Sequence, residues 1–176
     1  MGKNQDLIGL PTADNKVSFT LSPKLWDSFD SDMKNFIQKS TEWREVKFLS
    51  DEMELHEECN TIPTSSGGVY LFIAKPGVLL ESNDYVLYIG RAYKTQGQNL
   101  KKRCREYHNE MKIRKRPLVH RMLTNWGSHL YVKYIPLDSN DEIKKLEEEL
   151  INKLIPPFND RIPNKEIQQN VKALRM

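Results

Sequence analysis

The stretch Gly68-Val69-Tyr70-Leu71-Phe72-Ile73-Ala74, followed at some distance by Tyr85-Val86-Leu87-Tyr88-Ile89-Gly90, decides the fold. Both segments are rich in β-branched, aromatic and aliphatic residues, the composition of strands. Ser65-Ser66-Gly67-Gly68 interrupts the chain before the first, and Gly90 ends the second. Between them, Pro76-Gly77 and Glu81-Ser82-Asn83-Asp84 supply turn chemistry. The two strands are therefore expected to pair as an antiparallel hairpin with a long loop. Alternation places Val69, Leu71 and Ile73 on one face and Tyr70 on the other. Tyr88 is expected to share its face with Val86, so suitable pairing would put both phenols on one side.

Working outward, Asn99 opens a helix that runs to about Met111, with Leu100, Cys104, Tyr107 and Met111 on one face. Pro117 breaks that pattern, and a short helix over 118–126 follows. Leu130, Val132 and Tyr134 alternate with polar residues on a third strand. Ser139 and Glu142 form a capping box, which opens a helix through Ile143, Leu146, Leu150, Ile151 and Leu154 and ends at Pro156-Pro157. On the N-terminal side, Pro23 stands at the first position of a helix in which Leu25, Trp26, Phe29, Met33, Phe36 and Ile37 recur every three or four residues. Trp43, Val46, Phe48 and Leu49 are compatible with a further strand, and the acidic stretch 51–58 with a solvated turn or short helix. Residues 1–22 read as a loosely held arm and 164–176 as a last short helix. The expected division is an arm and helical extension over 1–66, a core over 67–160 and a tail over 161–176.

The chain has 176 residues, 38% apolar and 29% charged, with a formal charge of +3. That is room for one core of ordinary size and a wetted surface. Cys59 and Cys104 show neither a CxxC nor a Cys/His ligand spacing, which argues against structural zinc and for a reducing compartment. The four histidines show no ligand spacing either. With no apolar run of about 18 residues and no signal-like leader, no membrane association and a cytoplasmic location are expected.

The charge is unevenly spread. Residues 101–121 carry Lys101, Lys102, Arg103, Arg105, Lys112, Arg114, Lys115, Arg116 and Arg121 against Glu106 and Glu110, a net of +7. A patch so poor in balancing acids suits a phosphate backbone. Within it, Arg103 lies three residues after Leu100 and one turn before Tyr107. It edges the apolar face, so it reads either as one more solvated base or as a fixed guanidinium for phosphoryl chemistry. Glu147 is the second anomaly. It projects from the apolar stripe of its helix, four residues from both Ile143 and Ile151, where a carboxylate is costly unless paired or bound to a cation. A salt-bridge partner and a hard metal ion are both open readings.

The ordered set Gly68-Val69-Tyr70, Tyr88-Ile89-Gly90, Leu100-Lys101-Lys102-Arg103 with Tyr107, Glu147 with Leu150-Ile151, and Pro156 with Phe158-Asn159 resembles the GIY-YIG nuclease family. The last segment is similar to that of the incision nuclease of bacterial nucleotide excision repair. The resemblance covers 67–159. It implies an α/β (α+β) fold with a small central three-stranded, largely antiparallel sheet flanked by helices. It implies one Mg²⁺ (or Mn²⁺) on Glu147, Tyr70 as base or water-positioning phenol, and Tyr88 in support. Arg103 would stabilise the transition state, Tyr107 would contact phosphate or water, and Asn159 would brace the site. Arg91 matches the basic residue common after the second motif. The spacing of 18 from Tyr70 to Tyr88 and the 90–100 loop look enlarged, and both are expected to flank the cleft. The implied protein is a stand-alone endonuclease of DNA, most simply duplex, of restriction, mobile-element or phage-defence type, with a homodimer as one route to cutting both strands. Alternatives are a non-cleaving nucleic-acid-binding module, or a structure-specific repair nuclease that docks a partner through 1–66.

Overall fold

A computed structural model describes residues 16–79 and 83–174. Most of the arm expected over 1–22 and the tip of the long hairpin loop lie outside the described residues. Helices α1 (Pro23–Asp27) and α2 (Ser31–Lys39) precede β1 (Arg44–Lys47), β2 (Gly67–Ala74) and β3 (Tyr85–Ala92). Then come α3 (Leu100–Ile113), α4 (Pro117–Trp126), β4 (Leu130–Leu137), α5 (Asn140–Leu154) and α6 (Lys165–Leu174). The strands form one sheet in the order β1-β4-β2-β3, antiparallel throughout. The expected three strands are its β4-β2-β3 part. The fourth is β1, which pairs with β4 from Arg44 opposite Tyr134 to Lys47 opposite Tyr131.

β2 is buried along its whole length and separates two cores. On one face Tyr70, Phe72, Tyr88, Val132 and Tyr134 pack with Leu100, Cys104 and Tyr107 of α3, Met122 of α4 and Phe158. On the other, Val69, Leu71, Ile73, Ile89 and Ile135 pack with Ile143, Leu146, Leu150 and Ile151 of α5. A sheet covered on both sides reads as a nearly unbroken apolar strand, as β2 does.

The β2–β3 register contains a bulge. Phe72 pairs with Tyr88 but Ile73 pairs with Val86, so Leu87 is the extra residue. Tyr88 therefore does not share a face with Val86. It joins Leu87 in the tyrosine core, while Val86 packs in the other. The Leu87 carbonyl accepts from the Phe158 N–H at 3.0 Å. The bulge re-aims Tyr88 toward the side that Tyr70 already faces.

The single helix expected over 23–37 is broken in two. Asp30 caps α2 through Met33 N at 2.9 Å, and its own N–H donates to Glu149 of α5 at 3.2 Å. Leu25, Phe29, Met33 and Ile37 lie against the α5 core, while Trp26 and Phe36 remain exposed. Among the described residues, no helix is long and apolar enough to cross a membrane.

Candidate active site

Tyr70, Tyr88, Arg91, Tyr93, Gln98, Arg103 and Glu147 line one cleft of about 400 Å³. Three elements build it. The β2–β3 pair sets Tyr70 opposite Gly90, where an added Cβ would stand 2.5 Å from the Tyr70 hydroxyl, so this close approach requires glycine. Gly68, at φ 152°, sits with its missing Cβ against the Ile135 carbonyl. Asn99 caps α3 through Lys102 N at 2.9 Å, which fixes where Arg103 and Tyr107 project. Ser139 caps α5 and starts the turn count that brings Glu147 to the cleft.

The three phenols touch. Tyr70 Oη and Tyr107 Oη are 2.8 Å apart, and Tyr107 donates to Tyr88 Oη at 3.1 Å. Arginines stand at both ends. Arg103 Nε donates to Tyr70 Oη at 3.4 Å, and Arg116 Nη2 donates to Tyr88 Oη at 2.9 Å. Burial drives the Tyr70 hydroxyl well above its ordinary range, the neighbouring phenols push it the same way, and Arg103 pulls it back in part. Burial likewise raises Tyr88, with Tyr107 adding and Arg116 opposing. Arg103 is held firmly charged: burial disfavours the cation, but Tyr70, Tyr107 and Glu106 more than offset it.

Glu147 pairs with Arg91 through Nη1, and Glu148 lies 3.8 Å from the same nitrogen. Burial raises the Glu147 carboxyl; Arg91 and Arg103 oppose the shift and Glu148 adds to it. Arg91 also lies 4.9 Å over the Tyr93 ring. Asn159 clasps the backbone behind the site: Ile89 N–H donates to Oδ1 at 2.9 Å and Nδ2 donates to Ile89 O at 2.8 Å.

Glu106 was not singled out by the sequence reading. It accepts from Arg103 Nη1 at 2.8 Å and from Gln98 Nε2 at 3.0 Å. Its position three residues after Arg103 on one helix is the signal that would have found it. His108, by contrast, faces Glu54 at 3.4 Å rather than the cleft.

The basic residues do not act as one patch. Lys112, Arg114 and Lys115 are exposed at the α3–α4 junction. Lys101 and Arg105 are tied to Asn60, and Lys102 to the Gly97 carbonyl. Arg116 faces the phenols, and Arg121 lies 5.3 Å over the Phe158 ring. Of the two enlarged loops, 93–99 supplies cleft residues. The described residues of the β2–β3 loop supply none of the cleft lining, against the expectation that this loop flanks it. It leaves from Ala74 and returns at Tyr85, the hairpin end away from Arg91.

A family model described as the UvrC-like GIY-YIG domain matches residues 66–160, more than half of the chain. The chain belongs to the GIY-YIG nuclease family. It matches no curated protein and no solved structure significantly.

Proposed function

We propose that this protein is a divalent-metal-dependent endonuclease that hydrolyses phosphodiester bonds in DNA. The observation that carries it is the convergence of Tyr70, Tyr88, Arg91, Arg103 and Glu147 on one cleft. Each matches a position of the resemblance, and they come from four separate elements, β2, β3, α3 and α5.

The donor set fits a hard cation. Among the described residues, Glu147 is the one carboxylate that lines the cleft. No cluster of three or more His, Cys, Asp or Glu that could hold a metal occurs among the described residues. A single hard oxygen donor suits Mg²⁺ or Mn²⁺, which keep much of their shell as water and substrate phosphate. The Glu147 carboxylate already neutralises one positive charge, that of Arg91. Bound there, a divalent ion would supply charge neutralisation at the phosphate oxygens.

The protein's own residues do the rest. Tyr70 takes the proton of the attacking water. Arg103, with Nε on Tyr70 and Nη1 on Glu106, keeps Nη2 for the phosphoryl oxygens as charge builds on them. Arg91, once released from Glu147, has a phosphate as its natural partner. Asn159 holds β3 so that Tyr88 stays aimed. Tyr107 joins the two phenols and buttresses both. Lys112, Arg114 and Lys115 hold the flanking strand, with Lys101, Lys102, Arg105 and Arg121 adding positive field around the cleft.

The test is a Mg²⁺-dependent nicking assay on supercoiled plasmid, branched and single-stranded DNA. The wild type is expected to cut and Glu147→Gln to abolish cutting with DNA binding kept. Full residual cutting by that variant refutes the assignment. Arg103→Ala is expected to lower turnover by roughly a hundredfold, as loss of a charge-stabilising donor does. Unchanged turnover with weaker binding would make Arg103 a binding residue only.

A further inference from the structure

Tyr70 is completely buried, and burial keeps its hydroxyl protonated. A neutral phenol can accept a proton only if it passes its own onward. We infer that Tyr70, Tyr107 and Tyr88 form a proton relay whose exit is held by Arg116, a positioning residue. The relay deepens the nuclease reading and rests on it.

The direction of the chain follows from counting protons. A phenol has one hydrogen to donate and two lone pairs. Tyr107 spends its hydrogen on Tyr88 at 3.1 Å. The contact of 2.8 Å between Tyr70 and Tyr107 must then be donated by Tyr70. The Tyr70 hydrogen therefore points into the protein, and one of its lone pairs takes Arg103 Nε. Tyr88 accepts twice, from Tyr107 and from Arg116. Its own hydrogen is used by neither bond, and Tyr88 lines the cleft.

The step balances. Water attacking phosphorus gives a proton to Tyr70, and its oxygen keeps the electron pair for the new P–O bond. The P–O bond to the departing ester oxygen breaks, and that oxygen leaves with the pair and takes a proton from solvent in the cleft. The original Tyr70 proton moves to Tyr107, that of Tyr107 moves to Tyr88, and that of Tyr88 leaves to solvent in the cleft. Along the relay four O–H bonds break and four form, and the proton that solvent gains from Tyr88 offsets the one it gives to the leaving oxygen. Each phenol ends neutral, and no free phenolate is required.

Arg116 stands where such an exit needs a cation. Its guanidinium is 4.9 Å from the Tyr107 ring and 5.6 Å from the Tyr88 ring, besides bonding the Tyr88 oxygen. Its backbone N–H donates to Glu110 Oε2 at 3.1 Å, which anchors the residue at the start of α4. A fixed positive charge beside Tyr88 favours loss of the Tyr88 proton. The groups that face the chain are Arg103 and Tyr107 from α3, Tyr70 from β2, Tyr88 from β3 and Arg116 itself. A backbone-contacting arginine would instead turn outward, as Arg114 and Lys115 do at the same junction.

The experiment compares wild type, Arg116→Gln, Arg116→Lys and Tyr88→Phe, each checked for folding by thermal melting. Steady-state cleavage is read with DNA affinity measured separately in EDTA. Arg116→Gln is expected to lower kcat about tenfold or more, within the range of a proton-transfer contribution, with KM and DNA affinity kept. Arg116→Lys should restore part of the loss. Wild-type cleavage in mixtures of H2O and D2O should give a curved proton inventory, because several protons move together, and Tyr88→Phe should straighten it. A linear wild-type inventory overturns the relay whether or not the variants fold. So does Arg116→Gln with unchanged kcat and weakened DNA affinity, which would make Arg116 a backbone contact. Absence of cutting by the wild type overturns the nuclease reading and the relay with it, whereas cutting that is indifferent to Arg116 overturns the relay alone.

Discussion

Gly90 shows how much of the site hangs on one absent methyl. It pairs with Tyr70 across the hairpin, and a Cβ there would meet the phenol oxygen at 2.5 Å and its ring carbon at 2.7 Å. Tyr70 has no room to retreat, since Phe72 and Tyr107 pack edge-on against it at 6.2 and 5.6 Å between ring centroids. Gly90→Ala should therefore destabilise by about 1–3 kcal/mol, the usual cost of overpacking, and should lose turnover out of proportion to folding. Denaturant unfolding with parallel cleavage rates measures both; full turnover would mean that Tyr70 is not where the reaction occurs. Glu106 carries a pH signature. Burial alone would raise its carboxyl, but Arg103 and Gln98 hold it lower than usual. A carboxyl lowered by folding adds stability above its unfolded value, and that share fades as pH falls through the folded value. Glu106→Gln should thus melt below the parent at pH 7, and the gap should close at acid pH. A gap of constant size from pH 7 to pH 3 would refute the pairing.

At the scale of elements, the local signals could be read from the sequence. Asn99 and Ser139 cap the helices they begin, Pro117 starts α4, and the α5 stripe faces the sheet with Glu147 at its edge. Each depends on residues within a turn or two. Features set by distant partners could not be read. The stripe Leu25, Phe29, Met33, Ile37 runs across the α1–α2 break without a fault, because periodicity does not register that Asp30 turns to Glu149, 119 residues away. The bulge at Leu87 depends on Phe158, and the Arg91–Glu147 pair spans 56 residues. Of the residues the motif order singled out, Tyr70, Tyr88, Arg103 and Glu147 line one cleft while Tyr107 and Asn159 lie behind it, and the order gave no hint that Arg116 would face the phenols. Asn159 joins the two kinds of signal, since the resemblance implied that it braces the site and only the structure gives the backbone groups it holds. It acts as an extra strand partner for Ile89, next to Tyr88. Asn159→Ala would leave a donor and an acceptor of β3 without that partner, at a cost of about 1–3 kcal/mol. Its turnover should fall further than that of a core variant matched for stability, such as Ile143→Val. Equal turnover in the two would reduce Asn159 to a structural clasp.

The molecule as a whole separates its charges by place. The cleft residues Arg91 and Arg103 are engaged with Glu147 and Glu106, and Arg116 lies on aromatic rings. Lys112, Arg114 and Lys115 stand exposed where α3 gives way to α4, with Arg114 in the left-handed conformation that ends the helix. This division predicts two kinds of charge loss. Neutralising a cleft arginine should change turnover. Neutralising the junction should change binding and leave turnover of bound DNA alone. Every phosphate contact made by a lysine or arginine releases counterions, adding about −0.9 to the slope of log affinity against log salt for duplex DNA. Lys112→Gln, Arg114→Gln and Lys115→Gln combined should therefore flatten the slope by roughly 2–3 and weaken binding at low salt, while single-turnover cleavage at saturating protein stays near wild type. Titrations at several salt concentrations would give the slope. If the slope is unchanged in the triple variant, the DNA path does not cross the α3–α4 junction, and the strand must leave the cleft along the 93–99 loop instead.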